Sequence, residues 1–125
     1  MRALVVDDSK AIRVILGRIL KELGFETFEA GNGREALDRL VEVGTVELAL
    51  VDWNMPEMNG LDFVRSVRSV RGGRHDDMTM IMVTTETETE QVVRALAAGA
   101  NEYVMKPFSK DMLVEKLDLL GLTPA

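Results

Sequence analysis

Carboxylate, hydroxyl and ammonium side chains directly follow short apolar runs at four places in this sequence. Asp7 and Asp8 follow "ALVV", Asp52 follows "LALV", Thr84 follows "IMV" and Lys106 follows "YVM". A carboxylate can act as a nucleophile and form a covalent acyl phosphate. A hard divalent ion, an ammonium and a hydroxyl can together neutralise the charge of the transferring phosphoryl oxygens. These side chains are therefore a set that could transfer a phosphoryl group, provided that the fold brings them together.

The three carboxylates also suggest a metal site. Asp7, Asp8 and Asp52 would repel one another at close range, so proton uptake or a bound cation must neutralise them. Oxygen ligands without Cys or His favour a hard ion, and a few carboxylates with open positions suit Mg²⁺ better than Ca²⁺. The alternative is that these residues are helix N-caps and turn formers. Each residue alone fits that alternative better, whereas the set together with Thr84 and Lys106 favours a site.

Short β-rich apolar runs alternate five times with segments of helical periodicity, and no low-complexity linker or long-period repeat interrupts them. Apolar residues at i, i+3 and i+4 spacing indicate a helix after each run. The predicted strands are Ala3 to Val6, Phe25 to Ala30, Glu47 to Val51, Met78 to Val83 and Glu102 to Met105.

One helix after each strand implies parallel strands, because a parallel neighbour requires a crossover connection. The fold class is therefore α/β, an open doubly wound sheet of five parallel strands with five helices. In such sheets ligands bind outside the carboxyl ends of the strands. The second strand runs out at Ala30 and Gly31 with no reactive group, which places it at an edge. We therefore predict the strand order 2-1-3-4-5.

Composition narrows the class of protein further. A chain of 125 residues suits one domain, and 46% hydrophobic with 29% charged residues is typical of a soluble globular protein. The net charge of −6 disfavours nucleic acid or an anionic membrane as the main partner. There is no cysteine, which fits a reducing compartment, and no apolar segment approaches a membrane span. We expect a cytoplasmic protein.

Four segments of the sequence resemble the receiver domain of two-component response regulators. They are "VVDDS" on the first strand, "VDWNMPEMNGLDFV" around the third, "MVTTE" on the fourth and "YVMKPF" on the fifth. The match runs from about Arg2 to Leu120. The resemblance implies a flavodoxin-like, CheY-like fold and a single receiver domain over residues 1–125 without an output domain.

The same resemblance assigns roles to the candidate residues. It implies that Asp52 accepts a phosphoryl group from a histidine kinase. It also implies that Asp8, Asp52 and the backbone carbonyl of Asn54 bind Mg²⁺, with Asp7 helping through water. Lys106 would contact the phosphoryl group.

A second group of residues matches the positions that convert phosphorylation into a change of surface. Thr84 and Tyr103 correspond to the switch pair, in which the hydroxyl moves toward the phosphoryl group and the aromatic ring turns inward. Asn54 and Glu86 correspond to the positions that tune the lifetime of the acyl phosphate. The peptide bond before Pro107 is typically cis in the family.

The function that the resemblance implies is a phosphorylation-switched binding module of a two-component, chemotaxis-like pathway. The kinase modifies it, and helix 4, strand 5 and helix 5 present a face to a downstream effector or phosphatase. We expect a monomer with no catalysis beyond its own phosphorylation and dephosphorylation. One alternative is a phosphorelay intermediate that passes the group to a histidine phosphotransfer protein. Another is an aspartyl-nucleophile phosphohydrolase, which usually needs a carboxylate where this chain has Asn54.

Overall fold

One parallel sheet organises the residues that the computed structural model describes, which are 1–69, 77–84, 89–106 and 108–122. Within them, five strands lie in the order β2-β1-β3-β4-β5, and a helix follows each strand along the chain. The predicted fold class and strand order are confirmed. The elements are β1 Arg2–Val6, α1 Lys10–Glu22, β2 Glu26–Ala30, α2 Gly33–Val43, β3 Leu48–Asp52, α3 Gly60–Arg68, β4 Thr79–Thr84, α4 Thr89–Ala98, β5 Glu102–Met105 and α5 Lys110–Leu119.

Two strands extend one residue further than the sequence pattern predicts. Asp52 is the last residue of β3, where it is paired with Val83, and Thr84 is the last residue of β4. Backbone hydrogen bonds continue the ladder past both ends, from Trp53 N to the Val83 carbonyl at 3.1 Å and from Lys106 N to the Thr84 carbonyl at 2.8 Å. The polar side chains at these ends therefore stand on backbone that is fixed by the sheet.

Alternate residues of the central strands fill two apolar layers, one on each face of the sheet. Leu4 and Met80 contribute to the layer beneath α2, α3 and α4, while Val5 and Ile81 contribute to the layer beneath α1 and α5. Because side chains of a strand alternate between faces, a central strand covered by helices on both sides is apolar along its whole length. The sheet is thereby a rigid platform for the groups at its carboxyl edge.

The N-cap residues of the first three helices are not the aspartates of the candidate site. The caps of α1, α2 and α3 are Ser9, Asn32 and Asn59, and each side chain accepts a hydrogen bond from the backbone N–H three residues further on. None of the three aspartates occupies a cap position in these helices, so the N-cap part of the alternative is wrong for them. The turn-forming part holds for Asp7, whose Oδ1 accepts a hydrogen bond from the backbone N–H of Ser9, two residues on. A search of the described residues finds no helix long and apolar enough to cross a membrane.

Candidate functional site

Three carboxylates meet at the carboxyl edge of the sheet. Asp7 and Asp8 follow β1, Asp52 ends β3, and the two strands are neighbours paired at Val6 and Val51. Each aspartate offers an oxygen that lies within 4.8 Å of those of the other two. Asp7 and Asp52 are 2% and 9% exposed, whereas Asp8 is open to solvent. The three carboxylates therefore converge as predicted, and the cluster is open to solvent on the side of Asp8.

The ammonium group of Lys106 joins this cluster from the end of β5. Its Nζ lies 3.1 Å from Oδ2 of Asp7 and 3.4 Å from Oδ1 of Asp52. β5 is two strands away from β3, so the long side chain reaches across the end of β4 to make these contacts. Because the partners carry opposite charges and are partly buried, both contacts are charge-assisted. Lys106 thus bridges the two buried carboxylates.

Burial and neighbouring charge leave Asp52 poorly stabilised as an anion. Burial raises the pKa of the Asp52 carboxyl, the negative charge of Asp7 raises it further, and Lys106 offsets only part of the effect. Burial alone would lower the pKa of Lys106, but its hydrogen bond to Asp7 and the charge of Asp52 outweigh burial and raise it. The lysine therefore stays protonated at neutral pH. Its single positive charge does not fully compensate the carboxylates, so a further cation would stabilise them.

Backbone and side-chain hydrogen bonds fix Asp7 on several sides. Its Oδ1 accepts from the backbone N–H of Ser9 at 2.9 Å, and its own N–H donates to the Ala30 carbonyl at 3.1 Å. Arg13 donates from Nη1 to the Asp7 carbonyl at 2.7 Å and from Nε to Oε1 of Glu29 at 3.0 Å. Sequence reasoning missed Arg13. Its place one helical turn after the Ser9 cap was the available signal, since that position faces the strand end from which α1 begins.

The loop from β3 to α3 folds tightly against Asp52. Gly60 N–H donates to the Trp53 carbonyl at 3.0 Å, and a Cβ at Gly60 would come within 2.2 Å of the Asp52 carbonyl oxygen. Only glycine fits so close an approach. Glu57 has a φ of 63°, a left-handed conformation. Asn54 is exposed in this loop two residues after Asp52. The "NG" dipeptide was the sequence sign of a turn here.

The two predicted switch residues lie on β4 and β5. Thr84 is 4% exposed and ends β4, between the strands that carry Asp52 and Lys106. Tyr103 is half-buried on β5, and Nζ of Lys116 lies 5.2 Å from the centre of its ring. Glu86 and Pro107, for which a lifetime role and a cis bond were predicted, lie outside the described residues.

The arrangement suits covalent chemistry on Asp52 with a divalent ion beside it. A carboxylate next to a fixed ammonium and a sheet-bound hydroxyl has the groups that stabilise charge on a transferring phosphoryl group. The oxygen-only donor set of Asp7, Asp8 and Asp52 fits Mg²⁺, and one side open to solvent leaves positions for water and phosphate oxygens. Within the described residues, the geometry therefore fits the metal ion that the resemblance implies.

Comparisons with known proteins agree with this geometry. Residues 3–118 match the family model described as the response regulator receiver domain. The chain is 47% identical over 123 residues to a chemotaxis protein CheY homolog of Campylobacter jejuni, covering 97% of this chain and 93% of the relative. It is 45% identical to chemotaxis protein CheY1 of Helicobacter pylori, covering 96% of both chains.

A solved structure shows the same likeness in three dimensions. The structure of chemotaxis response regulator CheY4 of Vibrio cholerae superposes with a TM-score of 0.85 at 34% identity, covering 95% of this chain and 97% of the other. A family match over nearly the whole chain, relatives above 40% identity and a shared fold all point the same way. The chain belongs to the response regulator receiver domain family.

Proposed function

We propose that this protein is a signalling switch that a histidine kinase activates by phosphorylating Asp52. The observation that carries the proposal is the position of Asp52 beside two other carboxylates and an ammonium group. Asp7 and Asp8 supply carboxylate oxygens within 4.8 Å, and the Lys106 ammonium lies 3.4 Å from Asp52 Oδ1. Such an arrangement favours a carboxylate that reacts with a phosphoryl group and then shares its charge with fixed partners.

The step transfers a phosphoryl group from nitrogen to oxygen. A carboxylate oxygen of Asp52 forms the new P–O bond, the P–N bond to the kinase's phosphohistidine breaks, and the imidazole leaves with the electron pair and takes up a proton. Lys106 would donate hydrogen bonds to the phosphoryl oxygens, and the Thr84 hydroxyl would do the same from the neighbouring strand. Signal loss is hydrolysis, in which a water oxygen attacks phosphorus, the P–O bond to Asp52 breaks and inorganic phosphate leaves.

Asp7, Asp8, Asp52 and the backbone carbonyl of Asn54 are the groups that would hold Mg²⁺. A bound Mg²⁺ supplies positive charge to the transferring phosphoryl oxygens. In its absence, the raised pKa of Asp52 reflects burial and the nearby negative charge of Asp7. The residues of the chain keep the carboxylates apart and oriented, since Ser9 fixes Asp7 through the backbone.

The face formed by α4, β5 and α5 is the proposed output surface. Large apolar side chains are exposed on each of these elements, namely Val93, Leu96, Met105 and Met112. Phosphorylation can change the affinity of this face only by shifting the population between two conformations. Thr84, which ends β4, and Tyr103, which lies on β5 within this face, are proposed to carry that shift. The relatives named chemotaxis proteins support a chemotaxis effector as the downstream partner.

Two related proposals concern the fate of the phosphoryl group. Asn54 and Glu86 are proposed to set the lifetime of the acyl phosphate. A turnover phosphohydrolase is less well supported, because an amide stands at Asn54 where such enzymes use a carboxylate. A phosphorelay role stays the alternative to an effector role within the same family.

The decisive test of the phosphoacceptor is labelling by a small-molecule phosphodonor with Mg²⁺. We expect Asp52→Asn to abolish the acid-stable, base-labile acyl phosphate, while the matched variant Asp62→Asn, which alters an exposed aspartate of α3, is labelled like the parent. Labelling that persists in Asp52→Asn would contradict the assignment.

A pull-down with and without a beryllofluoride mimic separates the two pathway roles. An effector is retained only by the activated form. Rapid loss of label to a histidine phosphotransfer protein would instead assign the relay role.

A further inference from the structure

One side-chain oxygen near the switch residues is buried without a hydrogen-bond partner. Gln91, in the first turn of α4, is partly buried, and its Oε1 atom is fully enclosed and accepts no hydrogen bond. Among the buried side-chain oxygen and nitrogen atoms of the described residues, it stands alone in this respect. Leaving a buried carbonyl oxygen without a hydrogen bond is unfavourable, so its retention calls for an explanation.

The surroundings of Gln91 connect it to the proposed switch. It lines a crevice with Trp53, Thr84 and Tyr103, and Met82, Val92 and Ala95 complete the wall. The crevice is too narrow to hold a water molecule. Water therefore cannot satisfy Oε1 from within the crevice, and a partner has to come from a side chain that enters it.

Three of the lining side chains carry a hydrogen-bond donor, and their positions distinguish them. Thr84 is proposed to turn its hydroxyl toward the phosphoryl group on Asp52, which leaves more room in the crevice. Trp53 belongs to the loop that is bonded to β4 and to the start of α3 through its backbone. Tyr103 is half-buried on β5, an edge strand of the described sheet, and has a hydroxyl at the far end of its ring. Tyr103 is the donor whose movement fits.

We propose that Gln91 is a positioning residue of the switch, whose Oε1 accepts the hydrogen bond of the Tyr103 hydroxyl when that ring turns into the crevice. The inference rests on the proposed function, because phosphorylation of Asp52 is the trigger that draws Thr84 away. The unpaired oxygen raises the free energy of the resting state, and the new hydrogen bond lowers that of the active state. Both effects favour the inward ring.

An opposing contact keeps the two states close in free energy. The ammonium of Lys116 lies 5.2 Å from the Tyr103 ring centre and 3.4 Å from Oε1 of Glu102. A partly exposed cation–π contact stabilises by about as much as one neutral hydrogen bond. The inward turn therefore exchanges one interaction for another of similar size, which is what a reversible switch needs.

Fluorine NMR of the single tyrosine tests the inference directly. Because Tyr103 is the only tyrosine of the chain, 3-fluorotyrosine labelling gives one residue to follow. With Mg²⁺ and beryllofluoride, we expect wild type to show a second, inward resonance. In Gln91→Met, which keeps the length of the side chain and removes the acceptor, the inward-to-outward ratio should fall about five-fold. The control is Arg94→Met on the same helix, at an exposed position, and it should leave the ratio unchanged.

A second measurement separates positioning from a merely structural role. The thermal unfolding midpoint of unactivated Gln91→Met should equal or exceed that of wild type, because the variant no longer buries an unpaired oxygen. An unchanged ratio in Gln91→Met would overturn the inference, as would a lowered midpoint without a change of ratio. Absence of the second resonance in activated wild type would overturn the Tyr103 switch with it. The phosphoacceptor role of Asp52 is judged separately, by the labelling experiment.

Discussion

The two ends of the sheet treat charged side chains in opposite ways. At the carboxyl end, Lys106 faces Asp7 and Asp52, and the pKa of Asp52 is raised in spite of that cation. At the other end, the guanidinium of Arg68 donates from Nε to the Gly99 carbonyl at 3.0 Å and from Nη2 to Oδ1 of Asn101 at 2.9 Å. One end leaves a charge poorly compensated, while the other surrounds a cation with fixed acceptors.

This difference separates a reactive site from a structural one. Within the described residues, neutral oxygens accept hydrogen bonds from Arg68 and tie the starts of β4 and β5 to α3, since Nη2 also donates to the Met78 carbonyl. Charged groups that are hydrogen-bonded to fixed partners add rigidity. A carboxylate that lacks compensating positive charge is less stable, and a bound ligand can stabilise it. The same sheet therefore has one end that holds the fold and one end that responds.

The largest expected effect is on the rate of phosphorylation, and only substitutions at the carboxyl end of the sheet should cause it. Lys106→Met should slow labelling of Asp52 by a small-molecule donor about 100-fold, the usual loss when one charge-stabilising donor is removed from a transition state. Arg68→Met should leave the labelling rate within about two-fold once folded protein is compared, because it contacts no site residue in the described structure. Initial rates of acyl phosphate formation measure both. A similar loss in the two variants would break the comparison.

The next effect is on stability, and it is larger at the end of the sheet that carries Arg68. Arg68→Met leaves the Gly99 and Met78 carbonyls without their donor, so we expect the free energy of unfolding to fall by roughly 2–3 kcal/mol in urea titration. Arg65→Met is the matched control, since that residue lies on the same helix and is exposed. It should change stability by less than about 0.5 kcal/mol. Equal values for the two variants would show that the Arg68 contacts add nothing to stability.

A smaller effect sharpens the electrostatic side of the comparison. The folded state raises the pKa of Asp52 above its ordinary value of 3.8, so the folded protein binds the proton more tightly than the unfolded chain. The resulting stability is present below that ordinary value and is lost as pH rises through the folded pKa. In Mg²⁺-free buffer at pH 7, Asp52→Asn should therefore raise the unfolding midpoint, by about 3–5 °C if the gain is near 1 kcal/mol. The difference should shrink toward pH 4, and a lowered midpoint at pH 7 would contradict it.

Strand ends were predictable from sequence because they depend on local pattern. Asp7, Asp52 and Lys106 each follow an apolar run, and parallel strands place such ends at one edge. Their meeting needed only the strand order, which the absence of a reactive group at Ala30 indicated. The fold and the central cluster are therefore encoded in features that a reader can see in the sequence.

Contacts made by long side chains across the fold were not predictable in the same way. Arg68 in the sequence is an ordinary cation in the last turn of a helix, where it suits the helix dipole. Its actual partners depend on how α3 packs against the starts of β4 and β5. The unpaired oxygen of Gln91 likewise depends on the depth at which α4 lies on the sheet. Such features follow from packing, which periodicity does not specify.

The loop between β3 and α3 has a consequence for how this chain could vary or be engineered. The Trp53 carbonyl and the Gly60 N–H form a hydrogen-bonded ring, and Gly33 N–H pins the Met58 carbonyl at 3.0 Å from outside it. Because these two hydrogen bonds fix the loop at both places, an inserted or deleted residue would break at least one of them. Residues 53–60 should therefore tolerate exchange of side chains except at Gly60, where a Cβ would meet the Asp52 carbonyl oxygen, but no change in length. Fusion or permutation points belong elsewhere.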